Sequence, residues 1–223
     1  MWPNVAVLIP TYNRAQIVKR TIDLLRQNLR YEGNLFFYVG CDGIDNTPAV
    51  LQGTTVLAQP SGSLGANLNR LIDAAYLNGF EYYVSLDDDH WLMNPLRLGE
   101  HVAKLRDDPT AGWIQLLLDA VGDESNDGYR FVAKLDKRHW RLAYDGPDDW
   151  PCSFRAHLST YRYHTAVGRF MEGIPTGRCE VEFNQRAKRM GIAGQLPDVL
   201  VPLCAYGFDY WAHVGDSWNK KGL

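Results

Sequence analysis

Three consecutive carboxylates, Asp87, Asp88 and Asp89, follow the apolar run at residues 82–86. Adjacent carboxylates repel one another, so a strand end tolerates three of them most readily when a cation or water neutralises their charge. Residues i and i+2 of an extended chain project to the same side, so Asp87 and Asp89 share a face. This spacing predicts one carboxylate on a divalent ion and one on a polar ligand beside it. The alternative is a solvated acidic turn after a strand.

Apolar runs and amphipathic segments alternate along the first half of the chain. Short continuous apolar runs are typical of strands buried on both faces, and apolar residues at helical spacing indicate helices packed on a sheet. The predicted strands are residues 5–9 (ended by Pro10), 35–39, 54–58, 82–86 and 113–118. The predicted helices are one that Asn13 caps and that runs to about residue 28, and those at residues 64–77 and 95–105. This alternation indicates an α/β fold, an α/β/α sandwich with a mostly parallel central sheet.

The second half of the chain is less regular. Two short runs are typical of a hairpin, at residues 129–133 and 140–144, and a helix is predicted at residues 180–190. The sequence shows neither an internal repeat nor a low-complexity linker. We therefore predict a single domain over residues 1–223, made of two halves that share one core: residues 1–118 and 119–223.

Polar segments follow several of the predicted strands. Residues 10–13 come after the first strand, Asp42 and Gly43 after the second, and the acidic triplet after the fourth. In open α/β sheets, ligands bind at the carboxyl ends of the strands. Because these segments meet at that edge, their clustering favours a binding site over a solvated turn.

Composition limits the partners and the compartment. The 223 residues are 46% hydrophobic and carry a formal net charge of −3, which gives no overall attraction to nucleic acid or an anionic membrane. The four cysteines form no CxxC pair, which disfavours structural zinc and is typical of reduced cytosolic thiols. No apolar run approaches the roughly 20 residues that cross a bilayer, and residues 1–4 lack the basic region of a signal peptide. We therefore expect a cytoplasmic protein without a membrane span.

Several segments, in this order along the chain, resemble the inverting glycosyltransferases of family two, which have the GT-A fold. They are similar to that family's nucleotide loop, Asp-Asp-Gly turn, glycine- and asparagine-bearing helix start, Asp-x-Asp motif, acceptor helix and terminal His-x-Gly-x-Ser segment. The segments are residues 5–14, 41–43, 65–70, 87–89, 179–183 and 213–217. The resemblance spans nearly the whole chain. It implies a GT-A (Rossmann-like) sandwich with a donor half at residues 1–118 and an acceptor half at residues 119–223.

The resemblance implies transfer of a sugar from a nucleotide-sugar, expected to be a UDP-sugar, to an acceptor hydroxyl with inversion. The departing diphosphate gains negative charge, which a divalent ion on hard oxygen ligands stabilises, so the expected cofactor is Mn²⁺ or Mg²⁺. By resemblance, Asp89 is the first metal ligand and Asp87 faces the ribose or the water shell of the ion. His213 completes the coordination, which favours Mn²⁺. A histidine packed beside Trp211 is the alternative for His213.

The donor nucleotide is expected at the loop and the turn after the first two strands. Asp42 can accept the N3–H of a uracil or thymine ring, and Thr11 and Tyr12 can close over that base. A plain turn before Gly43 is the alternative for Asp42. At Cys41 the chain departs from the family, which has aspartate there. The remaining donor contacts that the resemblance implies are Pro10, Arg14, Gly65, Asn69, Arg70, Asp87 and Asp88, with a helix-surface pair as the alternative for Asn69 and Arg70.

Inversion requires a base that deprotonates the acceptor hydroxyl as this group attacks the anomeric carbon. The resemblance places Glu180 at the position of the family's catalytic aspartate, where glutamate adds one methylene to the side chain. Glu182 lies two positions further on, and Glu172 lies outside the motif. Both of these stay alternatives for the base.

Aromatic and basic residues are frequent in the second half, and planar faces stack on sugars and nucleobases alike. The predicted acceptor contacts are Trp140, Trp150, Arg155, His157 and Tyr163. The chain also resembles small glycosyltransferases encoded by bacteriophages, some of which modify hydroxymethylated bases in DNA. The acceptor is therefore expected to be a saccharide, another small molecule or such a DNA base. A phage-encoded protein would act in the host cytoplasm.

Two other functions fit an α/β scaffold of this kind. A sugar-nucleotide nucleotidyltransferase usually carries a glycine-rich phosphate loop after its first strand, and residues 10–14 contain no glycine. A non-catalytic sugar-nucleotide or glycan-binding module is the other alternative, since Cys41 and Cys179 depart from the family pattern. A dinucleotide dehydrogenase is disfavoured because no GxGxxG follows a predicted strand.

Overall fold

The computed structural model describes residues 1–43, 51–58, 60–117, 131–134, 139–142, 152, 154–202 and 211–213. The strands in this part of the chain are β1 (Val5–Thr11), β2 (Leu29–Arg30), β3 (Leu35–Cys41), β4 (Thr55–Leu57), β5 (Tyr82–Ser85), β6 (His90–Leu92), β7 (Leu96–Arg97), β8 (Ala111–Gln115), β9 (Phe131–Lys134), β10 (His139–Leu142), β11 (His157–Thr160), β12 (Asp198–Pro202) and β13 (Trp211–His213). The helices are α1 (Ala15–Asn28), α2 (Leu64–Leu77), α3 (Leu98–Asp107), α4 (Tyr161–Val167) and α5 (Thr176–Ile192).

The central sheet has the strand order β4-β3-β1-β5-β11-β8-β12-β10-β9. Strand β1 pairs in parallel with both β3 and β5, β3 pairs in parallel with β4, and β8 pairs in parallel with β12. Strand β11 runs antiparallel between β5 and β8, and β10 runs antiparallel to both β12 and β9. All strands of this sheet except β11 and β10 therefore share one direction. This confirms the predicted α/β fold with a mostly parallel central sheet.

Strand β1 shows how the sheet is buried on both faces. Its side chains alternate between two apolar clusters: Val5, Val7 and Ile9 belong to one, and Ala6 and Leu8 to the other. Helices α1 and α3 pack on the first cluster, whereas α2, α4 and α5 pack on the second. The layers are thus α/β/α, because each helix turns the apolar stripe of its sequence toward the sheet.

Strand β1 extends beyond the predicted end at Pro10. This proline pairs in parallel with Gly40, so β1 and β3 stay together to the edge where the polar turns begin. On the other side, the ladder between β1 and β5 ends at the pair of Leu8 and Ser85. Proline is tolerated at this point because its missing N–H costs no bond to β5.

Three helices begin at positions that differ from the prediction. Asn13 was predicted to cap α1, but the cap position is taken by Arg14, which makes no capping bond with its side chain, and Asn13 lies just before it with a φ of 50°, in the left-handed region. Helix α3 starts at Leu98 rather than Pro95, because residues 96–97 pair with β2. Helix α5 starts at Thr176, a full turn earlier than predicted.

The second half contains both confirmed and unexpected elements. The predicted hairpin is confirmed in β9 and β10, which pair antiparallel. Strands β11, β12 and β13 and helix α4 were not predicted, because such short segments acquire their identity from partners that are distant along the chain. Among the described helices, none is both long enough and apolar enough to span a membrane.

Candidate functional site

A cleft of about 640 Å³ opens at the carboxyl ends of β1, β3 and β5. Parallel strands end at the same edge of a sheet, so the residues just beyond them meet there. These residues include most of the polar side chains that the sequence placed in a donor site. The cleft is lined by Pro10, Thr11, Tyr12, Arg14, Asp42, Pro60, Gly62, Ser63, Leu64, Asn67, Asp87, Asp88, Asp89 and Thr176.

Asp88 is the central member of the acidic triplet, and only 5% of its surface is exposed. Its Oδ2 accepts a hydrogen bond of 2.5 Å from Thr11 Oγ1, and its Oδ1 accepts one of 3.0 Å from Arg14 Nη1. Its carbonyl oxygen accepts a bond from the Thr21 hydroxyl of α1. Burial raises the pKa of Asp88 to about 6, although the bonds from Thr11 and Arg14 favour the carboxylate. Asp88 therefore fastens the triplet to β1 and α1.

Arg14 joins two of the three carboxylates. Its Nη1 lies 3.0 Å from Asp88 Oδ1 and 2.9 Å from Asp89 Oδ2. Because opposite charges at this distance favour the ionised form of a carboxyl group, the guanidinium offsets part of the repulsion within the triplet. Arg14 also lines the cleft, so it brings positive charge to the same wall as the carboxylates.

Asp87, Asp89 and His90 form a cluster of potential metal ligands. Their carboxylate and imidazole atoms lie within 4.8 Å of one another. Asp87 lines the cleft, and its Oδ2 lies 3.6 Å from His90 Nδ1. Desolvation, followed by the charges of Asp89 and Asp88, raises the pKa of Asp87 well above its ordinary range. A bound cation would relieve this excess of negative charge, and two carboxylates with one imidazole suit Mn²⁺.

His90 is a candidate ligand that the sequence analysis missed. The available signal was a histidine directly after the acidic triplet, but its place on a strand became visible only through the pairing of β6 with β13. This antiparallel register sets His213 opposite His90. The strand that carries the predicted ligand His213 therefore runs beside the cluster.

Asp42 and Tyr12 supply a different pair of groups to the cleft. The Oδ1 atom of Asp42 accepts a hydrogen bond from the backbone amide of Ser61, which orients the carboxylate at the end of β3. Tyr12 is 66% exposed and lines the same cleft. An exposed aromatic ring and a carboxylate suit a nucleobase, which stacks on the first and donates an N–H to the second.

Glu180 lies in the first turns of α5, near the cleft. It lies one helical turn after Thr176, which lines the cleft, so both residues share a face of the helix. Its Oε1 accepts a hydrogen bond of 2.9 Å from the Phe154 amide. The charge of Glu180 also contributes to the raised pKa of Asp87. The carboxylate of Glu180 therefore lies within electrostatic reach of Asp87.

The two alternative bases are engaged elsewhere. Both carboxylate oxygens of Glu182 accept hydrogen bonds from Arg186, at 2.6 and 2.8 Å. Glu172 lies in the loop before α5, where its Oε1 accepts a bond of 2.7 Å from Asn69 Nδ2. Glu182 is thus bound at both carboxylate oxygens by a guanidinium and Glu172 is held by a side-chain amide, whereas the described bond to the Glu180 carboxylate comes from a backbone amide.

A sequence model described as Glycosyl transferase family 2 matches residues 6–157, which is more than half of the chain. The match contains β1, the turn after β3 and the acidic triplet. The chain belongs to glycosyl transferase family 2. No curated protein sequence matches it.

Solved structures share the fold of this family 2 chain. S. aureus TarS 1–349 in complex with UDP-GlcNAc is 16% identical, with a TM-score of 0.64 over 93% of this chain and 57% of that one. The Pyrobaculum calidifontis mannosyltransferase PcManGT, in complex with GDP-Man and Mn²⁺, is 15% identical, with a TM-score of 0.51 over 90% and 57%. GalNAc-T7 with UDP, GalNAc and Mn²⁺ is 12% identical, with a TM-score of 0.64 over 91% and 43%. The family 2 chain spans less than two thirds of each of these chains.

Three residues that the family resemblance assigned to the donor lie outside the described cleft lining: Gly65, Asn69 and Arg70. Gly65 packs against the loop before α5, where an added Cβ would come within 2.2 Å of Met171 O. The side chain of Asn69 is turned to the same loop and bonds to the backbone of Phe170. Gly65 and Asn69 therefore pack against the loop before α5 and are not part of the cleft lining.

Asn67 is the residue of this helix start that reaches the cleft, and the sequence analysis did not single it out. Its Nδ2 donates a hydrogen bond of 2.8 Å to Gly40 O at the end of β3. Its Oδ1 accepts a bond of 3.1 Å from Arg70 Nη2. Arg70 is therefore held on α2 by Asn67, while Asn67 fixes the turn that carries Asp42.

The predicted acceptor contacts His157 and Tyr163 lie in the core. His157 is 3% exposed and stacks on Trp113, with ring centroids 3.7 Å apart. Tyr163 is fully buried, and its hydroxyl lies 2.9 Å from Cys152 Sγ. The prediction of acceptor contacts by these two side chains is corrected, because β11 and α4 pack them between the sheet and α5.

The structure describes the other predicted acceptor contacts to different extents. Arg155 precedes β11, and its side chain is partly exposed. Trp140 is placed by the backbone of β10, in register with Val201 of β12. Trp150 lies outside the described residues. Of the predicted contacts whose side chains the structure describes, Arg155 is therefore the one that is not buried.

Proposed function

We propose that this family 2 member is a metal-dependent glycosyltransferase that moves a sugar from a UDP-sugar to an acceptor hydroxyl, with inversion at the anomeric carbon. The observation that carries the proposal is a cleft of about 640 Å³ that brings together two kinds of groups. It is lined by Tyr12 and Asp42, which suit a nucleobase, and by Asp87 and Asp89 of the metal-ligand cluster. This size falls within the range of small-molecule sites. The complex of TarS with UDP-GlcNAc, on a similar fold, supports the choice of donor.

The donor nucleotide lies between the turns after β1 and β3 in this proposal. The carboxylate of Asp42 accepts the N3–H of uracil, and Tyr12 stacks on the ring. Arg14 faces the diphosphate, because its guanidinium lines the cleft while it bonds to Asp88. A guanidinium carries several N–H donors, so the bond to Asp88 leaves others for phosphate oxygens.

Asp87, Asp89 and His90 are the side chains that would hold a divalent ion. Their donor set of carboxylates with one imidazole suits Mn²⁺, with Mg²⁺ as the other expected cofactor. His213 is a further candidate ligand, since the register of β13 places it opposite His90. When bound, the ion supplies positive charge to the diphosphate, which becomes more negative as the sugar leaves.

Glu180 is the base in this proposal. The acceptor hydroxyl transfers its proton to a Glu180 carboxylate oxygen while the hydroxyl oxygen forms a bond to the anomeric carbon. The bond from that carbon to the diphosphate oxygen breaks on the opposite face, and its electron pair leaves with the diphosphate. The hydrogen bond from the Phe154 amide orients the carboxylate. Glu182 is less well placed to accept this proton, because both of its carboxylate oxygens are engaged by Arg186.

The acceptor in this proposal is a molecule with a reactive hydroxyl. A saccharide, another small molecule and a hydroxymethylated base in DNA all satisfy that requirement. Arg155 lies next to Phe154, whose amide contacts Glu180, so Arg155 is the partly exposed residue best placed to meet an acceptor.

Calorimetric titration of UDP, GDP, dTDP and CDP, each with and without Mn²⁺, tests the donor site. We expect UDP to bind with the highest affinity and to depend on the metal. Incubation with UDP-sugars should then release UDP in the presence of a suitable acceptor.

The titration also separates the alternatives. Binding of UDP without any transfer to a broad set of acceptors would support a non-catalytic binding module. An absence of nucleotide binding under every metal condition would remove the proposal.

A further inference from the structure

Helix α2 contacts both the donor cleft and the α4–α5 loop, which comprises residues 168–175. At its start, Ser63, Leu64 and Asn67 line the cleft. The loop leads directly into α5, where Thr176 lines the cleft from the other side. The first turns of α2 are therefore placed between the donor site and the segment that delivers Glu180.

Asn69 of α2 holds one residue of the α4–α5 loop through both of its backbone groups. Its Oδ1 accepts a hydrogen bond of 3.0 Å from Phe170 N, and its Nδ2 donates one of 3.0 Å to Phe170 O. The same Nδ2 donates a bond of 2.7 Å to Glu172 Oε1. Asn69 is 3% exposed, so these bonds form in a site that is largely shielded from water. An amide is suited to this role because it donates and accepts at once.

Two further contacts join α2 to the loop. The Ser63 hydroxyl, which also caps α2, accepts a hydrogen bond of 3.0 Å from Gly173 N. Gly65 packs so closely that an added Cβ would lie 2.2 Å from Met171 O. The loop backbone is therefore in contact with α2 along its whole central part.

Helix α5 fastens the opposite end of the loop. Arg186 donates hydrogen bonds of 2.9 Å to Val167 O and 2.7 Å to Arg169 O. Glu182 orients Arg186 through its two carboxylate bonds. The loop is thus fixed to α2 by Asn69 and to α5 by Arg186, which leaves α5 with a defined position relative to α2.

We propose that Asn69 is a positioning residue for glycosyl transfer, because it holds the α4–α5 loop on α2 and thereby sets the distance between Glu180 and the donor cleft. This inference rests on the role of Glu180 in the proposed function. A catalytic group has to be held within about 0.5 Å of its productive geometry. A displacement of about 1 Å costs roughly 10²-fold in rate. The binding of the nucleotide depends on other side chains, at the ends of β1, β3 and β5.

The main test is Asn69→Asp, which keeps the shape of the side chain and its acceptor for Phe170 N. The change replaces the two donated bonds by contacts of a carboxylate with Phe170 O and Glu172. We expect kcat to fall about 10- to 100-fold, while the dissociation constant of UDP with Mn²⁺ stays within about twofold of that of the wild-type protein. Asn78→Asp is the matched control, since Asn78 is an exposed residue at the other end of α2 that bonds only locally, to Ala74 O at 2.7 Å.

A rescue variant separates positioning from a general loss of stability. In the Asn69→Asp background, Glu172→Gln removes the like charge and restores an amide donor between the two side chains. We expect this double variant to regain part of the lost kcat. Glu172→Gln alone should keep most of the wild-type rate, because the remaining bonds of Asn69 to Phe170 are unchanged.

Hydrogen exchange of the Phe170 and Gly173 amides supplies a readout that does not depend on activity. Both amides should exchange faster in Asn69→Asp than in the wild-type protein, whereas Asn78→Asp should leave them unchanged. If exchange rises and kcat does not fall, the loop is held by Asn69 without consequence for transfer, and the proposal is wrong.

Two other outcomes would also decide the question. A loss of UDP affinity in parallel with kcat would show that Asn69 contacts the donor, as the family resemblance implies, and would overturn the positioning role. If the wild-type protein binds UDP and transfers no sugar, the proposed function fails on its own. The exchange data then show independently whether Asn69 holds the loop.

Discussion

The cleft has a strand wall, at the ends of β1, β3 and β5, and a helix wall, formed by the start of α2, the α4–α5 loop and α5. Different kinds of contact hold these two walls in place. On the strand side the contacts are ionic: Arg14 lies 3.0 Å from Asp88 and 2.9 Å from Asp89. On the helix side they are amide hydrogen bonds, from Asn69 to the loop backbone and from the Phe154 amide to Glu180. Ion pairs thus hold the strand wall, whereas the helix wall is held mainly by hydrogen bonds of amide groups, to which the ion pair of Glu182 and Arg186 is added. Changes on the strand wall should therefore affect metal binding and stability, whereas changes on the helix wall should affect the rate of transfer.

The largest effect is expected on the helix wall. Glu180→Gln removes the proposed base but keeps the size of the side chain and its acceptor for the Phe154 amide. We expect kcat to fall by roughly 10² to 10⁴ with little change in the affinity for UDP and Mn²⁺. Single-turnover kinetics and calorimetry measure the two quantities separately.

Glu182→Gln is the matched control on the same helix. A glutamine still accepts a bond from Arg186, so we expect a loss of less than about tenfold. Near-normal turnover in Glu180→Gln together with a large loss in Glu182→Gln would move the base to Glu182.

On the strand wall, Asp89→Asn tests whether charge dominates. The variant removes a carboxylate from the ligand cluster and should weaken Mn²⁺ binding at least about tenfold, because an amide oxygen is a poorer ligand than a carboxylate. Electron paramagnetic resonance of Mn²⁺ and calorimetry of UDP report this loss. Asp23→Asn changes an exposed carboxylate of α1 that pairs with Lys19, and it should leave both signals unchanged. Equal Mn²⁺ affinity in Asp89→Asn would contradict the assignment of this residue.

The hydrogen bond from Thr11 to Asp88, which anchors the strand wall, is expected to contribute to the stability of the protein. Thr11→Val keeps the shape of the residue but deprives the buried Asp88 of a hydrogen bond of 2.5 Å. Leaving a buried acceptor without one partner costs about 1–3 kcal/mol, so the free energy of unfolding should fall by that amount in urea titration. Thr165→Val removes an exposed hydroxyl and should change it by less than about 0.5 kcal/mol. Similar losses in both variants would show that the bond to Asp88 has no special weight.

A further effect concerns pH and the core behind the helix wall. Burial among aromatic rings lowers the pKa of His164 to about 3, whereas a histidine of the unfolded chain titrates near ~6.5. As the pH falls from ~6.5 toward ~3, the unfolded state binds the proton first, so the free energy of unfolding decreases by up to ~1.4 kcal/mol per pH unit. His164→Phe should make the decrease less steep over this window in urea titrations. Parallel slopes for the two proteins would show that His164 is not the group responsible.

Local pattern was sufficient for most of the fold. Helix α2 begins at Leu64 and ends at Leu77, as the spacing of its apolar residues and the turn at Asn78 predicted. Strand β3 extends two residues beyond its predicted end at Val39 because β1 stays alongside it. Strand β11 could not be predicted, since it consists of four residues whose place between β5 and β8 depends on partners far away in the chain.

The candidate site was predictable to a different degree on its two walls. Asp42 and the acidic triplet directly follow buried strands, so their place at the sheet edge followed from the order of strands alone. Asn69 and Tyr163 lie on helices, where residue type does not say whether a side chain faces a ligand or another segment. Their roles became visible through contacts with Phe170 and Cys152.

The amino-acid sequence by itself established the α/β class, the edge of the sheet that carries the cleft and the acidic triplet within it. The reason is that the apolar pattern of each strand, and the alternation of strands and helices along the chain, can be read locally. Packing in three dimensions gave the three carboxylates different partners. Asp88 bonds to Thr11 and Arg14, whereas Asp87 and Asp89 lie beside His90. Packing also turned Asn69 toward the α4–α5 loop and placed Glu180 within electrostatic reach of Asp87. These distinctions depend on which distant segments approach one another, and a list of residue types does not contain that information.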